Sequence, residues 1–163
     1  MLKRSLVRVL IASAAAAFAL SGAAATVDAS TASRTSFRLG SIQQILINRD
    51  RAAYHRARLN WSSCLGGLAR QQAVAMAARG TIFHSNVSRS WGCRLGSHMV
   101  GENVGMFQSG GPSYSMGYLD GTLNSAFMAS PHHRANILGP YRYVGTAWAQ
   151  GRSGQWFIAV EFG

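Results

Sequence analysis

The chain has 163 residues, 16 of them lysine or arginine and 5 aspartate or glutamate, which gives a formal net charge of +11 at pH 7. This length indicates one domain that can bury a single sizeable core. The positive charge favours anionic partners such as phospholipid headgroups, wall polymers or acidic glycans. Nucleic acid would suit the charge equally well but not the export signal at the start of the chain, so we expect no nucleic-acid partner.

The first 25 residues have the three parts of a secretory signal peptide. Lys3, Arg4 and Arg8 are basic, Val9 to Leu20 form a short apolar run, and Ser21 to Ala25 offer small-residue cleavage sites. A membrane anchor is the alternative, but the run is short and alanine-rich and no second hydrophobic segment follows. We predict a secreted protein, cleaved near Ala25, with no transmembrane segment in the mature chain. Cleavage would remove three basic residues and lower the formal charge from +11 to +8.

The mature chain is expected to start with a flexible segment, residues 26–36, followed by the folded domain, residues 37–163. Its two cysteines, Cys64 and Cys93, would lie in an oxidising compartment, so one disulfide is the economical expectation. Closing a loop of about 30 residues would contribute roughly 3 to 4 kcal/mol. Zinc binding by the thiols or a reactive cysteine is less favoured because the chain lacks CxxC spacing.

Hydrophobic spacing predicts a first helix from Ile42 towards Arg58, apolar early and basic late. Arg51, His55 and Arg58 share a face of it, which is either an anion-binding stripe or, more commonly, a solvated surface. An extended segment around Asn60 leads to a second helix, capped by Ser62 or Ser63 and ended by Gly80.

The second half begins with a polar loop at residues 86–98 and continues with a third helix between Ser113 and Ala129. Ser130 and Pro131 then predict the start of a short helix, with the Ser130 side chain as its cap and Gly139-Pro140 as its end. Two runs rich in aromatic and β-branched residues, 143–149 and 155–162, predict an antiparallel hairpin.

Three residues from separate segments stand out as a candidate site: His84, Glu102 and His133. Glu102 interrupts an apolar, glycine-punctuated run, where a carboxylate is costly unless it is paired or ligating. His133 falls in the first turn of the short helix, whose dipole disfavours a protonated ring. Such a group can hold a divalent cation such as zinc on His84 and His133, or form an acid–base pair. A purely structural hydrogen-bonded network is the alternative.

Several short motifs carry a family resemblance when they are taken together. In chain order they are Phe83-His84, Gly101-Glu102-Asn103-Val104, Ser130-Pro131-x-His133-Arg134-x-Asn136-Ile137-Leu138, Val144-Gly145 and Val160-Glu161-Phe162-Gly163. Over residues 40–163 the chain resembles the bacterial branch of the CAP superfamily, which groups cysteine-rich secretory proteins, antigen 5 and plant pathogenesis-related proteins. The resemblance implies an α+β fold, a three-layer α-β-α sandwich with a central antiparallel sheet. It also implies a cleft lined by His84, Glu102 and His133.

The chain departs from the animal and plant members of that family in one position of the cleft. Those members typically carry a second glutamate on the helix before the second histidine, whereas residues 127–130 here contain no carboxylate. Asp120 lies too far back along the helix to replace it. An inherited four-residue metal site would therefore lack one ligand.

The resemblance implies a binding or envelope- and host-interaction module, with lipid, sterol or anionic envelope polymers as partners. The alternative is a metal-assisted hydrolase, in which a cation on His84 and His133 polarises water and Glu102 acts as base. A nucleophilic site built on Ser130 and His133 is weaker, because capping is the simpler role for Ser130. No oxyanion arrangement or third ligand is readable, so the sequence favours a protein that is not an enzyme.

Overall fold

The computed structural model describes residues 9–10, 42–96, 99–108 and 114–163. The strands of this part of the chain are β1 (Val9–Leu10), β2 (Asn60–Trp61), β3 (Gly101–Phe107), β4 (Tyr143–Gln150) and β5 (Trp156–Phe162). Its helices are α1 (Ile42–Ala53), α2 (Ser63–Arg79), α3 (Met116–Ala129) and α4 (Pro131–Ile137), with a 3₁₀ helix at Val87–Cys93.

The strands form one sheet in the order β1-β3-β5-β4-β2. β3, β5 and β4 are antiparallel neighbours, and β4 and β5 make the predicted hairpin. The sheet was expected to be antiparallel, but β2 pairs with β4 in parallel. In this pair Asn60 lies beside Tyr143. The sheet is therefore mixed, and the α+β fold class is confirmed.

Helices cover both faces of the sheet and make the expected three layers. On one face, alanines of α2 pack against Val104, Ala147, Phe157 and Ala159. On the other face, α1, α3 and α4 bury Phe107, Trp148, Val160 and Phe162 within the larger apolar core. Alternate residues of a strand point to opposite faces, so each central strand contributes to both cores.

Close packing of α2 on the sheet depends on Gly145 in β4. A Cβ atom added at Gly145 would collide with the backbone of Leu65 and Gly66 in α2. α2 itself agrees with the sequence prediction, since the Ser62 side chain accepts from the Leu65 amide and Gly80 ends the helix with φ 68°. The disulfide between Cys64 and Cys93, also confirmed, ties the start of α2 to the 3₁₀ helix.

α1 ends at Ala53, earlier than the spacing predicts, because the chain turns at His55, which has φ 54°. His55 and Arg58 are exposed, which both interpretations of the basic face require. Arg51 fits neither interpretation of the basic face, because it is buried.

The guanidinium of Arg51 donates hydrogen bonds to backbone carbonyls of two segments. One segment follows α1, and the other is the end of α4 and the residues after it. Nη1 donates to the carbonyls of Ile137 at 2.7 Å and Gly139 at 2.8 Å. Nε donates to Ala57 at 2.6 Å and Nη2 to Tyr141 at 3.5 Å. A cation is well placed beside the last carbonyls of a helix, where the dipole is negative.

The predicted leader is represented in the described residues only by β1, which pairs with Met106 and Phe107 at one end of β3. The cleavage site near Ala25 and the segment 26–36 lie outside the described residues, so the leader and the domain boundary remain predictions.

Replacing Arg51 by alanine should lower the free energy of unfolding by about 3 kcal/mol or more, because buried carbonyls would lose their donor. Urea denaturation followed by circular dichroism would measure the loss. Arg49→Ala is the control on the same helix, since the Arg49 side chain is 68% exposed and should cost within about 0.5 kcal/mol. Equal effects of the two changes would contradict the role given to Arg51.

Candidate functional site

Glu102 is the centre of the candidate site. It lies near the start of β3, and its side chain is buried although it is ionisable. Its Oε1 atom lies 2.8 Å from Nδ1 of His84 and accepts a hydrogen bond from the Ser85 amide at 2.9 Å. His84 and Ser85 belong to the segment between α2 and the 3₁₀ helix, so this segment is anchored to the sheet through one carboxylate oxygen.

A second glutamate lies beside Glu102 on the neighbouring strand. Glu102 and Glu161 are directly paired in the register of β3 and β5, and they are 4% and 1% exposed. Ser90 in the 3₁₀ helix donates to Glu161 Oε2 at 3.3 Å, and an Arg89 nitrogen lies 4.0 Å from Oε1. Glu102 Oε2 and Glu161 Oε1 have no hydrogen-bond partner among the described residues.

The two buried glutamates differ in the direction in which their pKa values are shifted. Burial and the neighbouring Glu102 raise the pKa of Glu161 to about 8, so that this carboxyl is mostly neutral at pH 7. Burial would also raise the pKa of Glu102, but hydrogen bonds from His84 and Ser85 outweigh it and the pKa is lowered. The hydrogen bond to Glu102 raises the pKa of His84. A neutral Glu161 avoids the repulsion between two ionised carboxylates side by side.

His133 approaches from the opposite layer, in the first turn of α4. Its Nδ1 atom lies 2.8 Å from the Ser130 hydroxyl, which makes no capping hydrogen bond to α4, so the predicted capping role of the Ser130 side chain is wrong. Pro131 begins the helix as predicted. Burial, then the charge of His84, then that of His132 lower the pKa of His133, so a neutral ring is favoured.

Two asparagines fasten α4 to β3. Asn103 donates to the His133 carbonyl at 3.0 Å, and Asn136 donates to the Glu102 carbonyl at 3.0 Å and to Asn103 Oδ1 at 2.9 Å. The side chains of Glu102 and Asn103 alternate across the sheet, so β3 holds the two histidine segments, one from each layer.

The structure therefore joins His84 directly to Glu102 and brings His133 close enough to be affected by the charge of His84. Ser130 and His133 are in contact, but no described hydrogen bond links His133 to Glu102, so a relay from serine through histidine to glutamate is not formed. Asp120 lies apart from these residues, buried in the α3 layer, where it accepts from Trp148 Nε1 at 2.7 Å.

The described residues supply fewer donors than a typical zinc site uses. In the described part of the chain, no group of three or more His, Cys, Asp or Glu side chains is arranged to hold a metal ion. Nδ1 of each histidine is already engaged, by Glu102 and by Ser130, which leaves the two Nε2 atoms as the available donors. Zinc sites in proteins typically use three or four protein ligands.

Comparison with known proteins assigns the family. Residues 44–162 match the model of the CAP family, described as the cysteine-rich secretory protein family. The chain belongs to this family. A search of curated proteins found no match to it.

Two solved structures share the CAP fold of this chain. An outer surface protein from Borrelia burgdorferi is similar over 74% of this chain and 87% of its own, with a TM-score of 0.56 and 16% identity. A cysteine-rich secretory protein from Staphylococcus aureus is similar over 74% of this chain but only 36% of its own, with a TM-score of 0.51 and 17% identity. At this identity the likeness concerns the fold alone.

Glu161 was not among the site residues predicted from the sequence of this CAP domain. A signal was present, because Phe157, Ala159 and Glu161 alternate along one strand and place the carboxyl on the apolar face. Ser85, Ser90 and the two asparagines carried no comparable signal, since their roles depend on contacts between distant segments.

Two isosteric changes should have opposite effects on stability. Because the pKa of Glu161 rises from 4.5 to about 8 on folding, its neutral form contributes stability that is complete below about pH 4.5 and is lost as the pH rises through about 8. Glu161→Gln keeps a neutral donor and should remove this decline, which raises the free energy of unfolding at pH 8.5 by up to about 5 kcal/mol. Thermal and urea unfolding between pH 4 and 9 would measure it.

Glu102→Gln is the matched control, since the lowered pKa of Glu102 means that its charged form stabilises the fold above the unfolded pKa. It should destabilise the protein at pH 7 because His84 and the Ser85 amide lose a charged acceptor. A Glu161→Gln profile parallel to that of the unmodified protein would contradict the proton assigned to Glu161.

Proposed function

We propose that this CAP domain is a secreted binding module for anionic components of a cell envelope, such as phospholipid headgroups or acidic wall polymers. On this view its His/Glu site is a structural hydrogen-bonded network and not a catalytic centre. The predicted leader and the disulfide support secretion, because disulfides persist in oxidising compartments. Among the described residues, no helix is both long enough and apolar enough to cross a bilayer.

The observation that carries the proposal is the separation of charge between the surface and the interior. The described residues include eleven arginines, of which nine are exposed, Arg134 is half-buried and Arg51 is buried. The same residues include four acidic side chains, and none of them is exposed. Two of these, Asp120 and Glu161, also have pKa values raised by burial, to about 6 and about 8. The surface of the described domain is therefore almost uniformly cationic.

Three of the exposed arginines lie at one end of the sheet and form what we call the β2 patch: Arg56, Arg58 and Arg142. The Asn60 amide, at the start of β2, donates to the carbonyl of Arg142 at 2.9 Å. This hydrogen bond places the backbone that leads from Arg58 into β2 beside the backbone of Arg142. Arg56 is close enough to Arg51 to lower its pKa, after the larger effect of burial. Arginine binds phosphate and carboxylate groups in bidentate geometry, so such a patch suits a polyanion.

Removing the charges of the β2 patch should weaken polyanion binding. Arg56→Gln/Arg58→Gln/Arg142→Gln should raise the dissociation constant for vesicles of phosphatidylglycerol, or for a sulfated polysaccharide, by about tenfold or more. Binding by the unmodified protein should also fall steeply between about 50 and 500 mM salt, since screening shortens the reach of surface charges. Co-sedimentation and affinity chromatography would measure both.

Arg49→Gln/Arg79→Gln/Arg152→Gln is the charge-matched control, because it removes the same charge from other exposed positions. Equal losses for both triple variants would assign binding to the whole surface instead of the patch. Salt-insensitive binding, or none, would contradict the proposal.

The metal-assisted hydrolase makes a different prediction. With two free imidazole nitrogens and no third ligand in the described residues, we expect calorimetric titration of Zn²⁺ at pH 7 to detect no 1:1 binding in the micromolar range. His133→Ala is the control for any binding that occurs. Micromolar binding that this change abolishes would favour the hydrolase and justify assays of hydrolysis.

A further inference from the structure

Trp91 is the tryptophan that the fold leaves in solvent. It is 60% exposed, whereas Trp148 is buried and Trp61 and Trp156 are half-buried. Exposing a large aromatic ring to water forgoes the free energy that its burial would provide. Single exposed apolar side chains are common, so the surroundings of Trp91 decide whether its exposure has a use.

The segment that carries Trp91, here called the Trp91 loop (Val87–Gly96), is firmly attached to the domain. Cys93 is bonded to Cys64 in α2, and buried Ser90 donates to Glu161 in the sheet. At the start of the 3₁₀ helix, the Asn86 side chain accepts hydrogen bonds from the amide and hydroxyl of Ser88. Trp91 is therefore presented to solvent on a scaffold held by a covalent bond and by hydrogen bonds.

The charge around Trp91 is positive on both sides. Arg89 and Arg94 are exposed, and the loop contains no acidic residue. The acidic group recorded near it is Glu161, which is buried, 4.0 Å from Arg89, and mostly neutral because burial raises its pKa to about 8. An anionic surface could approach the loop without meeting an exposed carboxylate there.

We propose that the Trp91 loop is an interfacial anchor that places Trp91 at the headgroup level of an anionic phospholipid bilayer, while Arg89 and Arg94 bind lipid phosphates. This rests on the proposed function and names the surface and the ligand class. Tryptophan favours the boundary between headgroups and acyl chains, because its ring is apolar and its N–H needs a polar partner. Arginine keeps its charge and binds phosphate through paired donors.

A bilayer suits the loop better than a glycan does. Recognition of a sugar needs polar groups placed around the aromatic ring to bind its hydroxyls. The loop has no aspartate, glutamate, asparagine or glutamine, and apart from Trp91 its larger apolar side chains are Val87 and Leu95, both half-buried.

The test compares vesicle binding by the full chain, Trp91→Ser and a control. Vesicles of phosphatidylglycerol with phosphatidylcholine, vesicles of phosphatidylcholine alone, and a soluble sulfated polysaccharide serve as probes. Trp91→Ser should weaken binding to the anionic vesicles by about tenfold, and Arg94→Gln by about fivefold. Tyr54→Ser, which removes another exposed aromatic ring just after α1, should leave it unchanged.

A second readout does not depend on a variant. Tryptophan emission of the unmodified protein should shift to the blue with anionic vesicles and be quenched by brominated lipid, and both changes should be absent in Trp91→Ser. Thermal unfolding checks that the variants fold.

The outcomes separate this inference from the proposed function. If Trp91→Ser binds anionic vesicles as tightly as the unmodified protein, the anchor is overturned while envelope binding stands. If Trp91→Ser also loses the soluble polysaccharide, Trp91 recognises sugar and the bilayer assignment is overturned. If the unmodified protein binds neither vesicles nor polysaccharide, the proposed function fails and the anchor fails with it.

Discussion

Two carboxyl groups buried side by side cannot both be ionised without a large electrostatic cost, and the candidate site is organised around that constraint. Register places Glu102 next to Glu161 on β3 and β5. Hydrogen bonds from His84 and the Ser85 amide favour the charge on Glu102, whereas Glu161 is surrounded by weaker partners and keeps its proton. The segments that supply these partners are held in place by the disulfide and by packing on α2. The pairing of β3 with β5 thus places the two carboxyls where their pKa values diverge.

The sheet also explains how helices on opposite faces can contribute to one site. β3 lies outside β5, and only its far end pairs with β1 among the described residues. Glu102 faces the layer that contains α2, and Asn103 faces the layer that contains α4. His84 and His133 therefore approach β3 from different layers, each with its Nδ1 atom held by a neighbour. This arrangement fixes the orientation of both rings and leaves their Nε2 atoms as the available donors.

Protein surfaces usually mix acidic and basic side chains. The described surface exposes arginines but no acidic side chain. Acidic side chains are used inside, in the pair at the site and in the contact between Asp120 and Trp148. The described arginines are left outside, except for half-buried Arg134 and for Arg51, which donates to carbonyls at and after the end of α4. The interior needs only a few ionisable groups, and each has specific partners. The exterior of the described domain is then almost uniformly cationic, with Trp91 as its exposed tryptophan.

The sequence by itself determined the local elements and the family. Caps at Ser62 and Gly80, proline at the start of α4 and alternation in the hairpin depend on neighbouring residues, so they could be predicted. The CAP motifs also made His84, Glu102 and His133 the candidate cleft residues, and that functional assignment stays a prediction. Tertiary structure alone decided the register that pairs Glu102 with Glu161, the burial of Arg51, and the use of Ser130 as a partner of His133 instead of a cap. These outcomes depend on which distant segments pack together, and local periodicity contains no information about that choice.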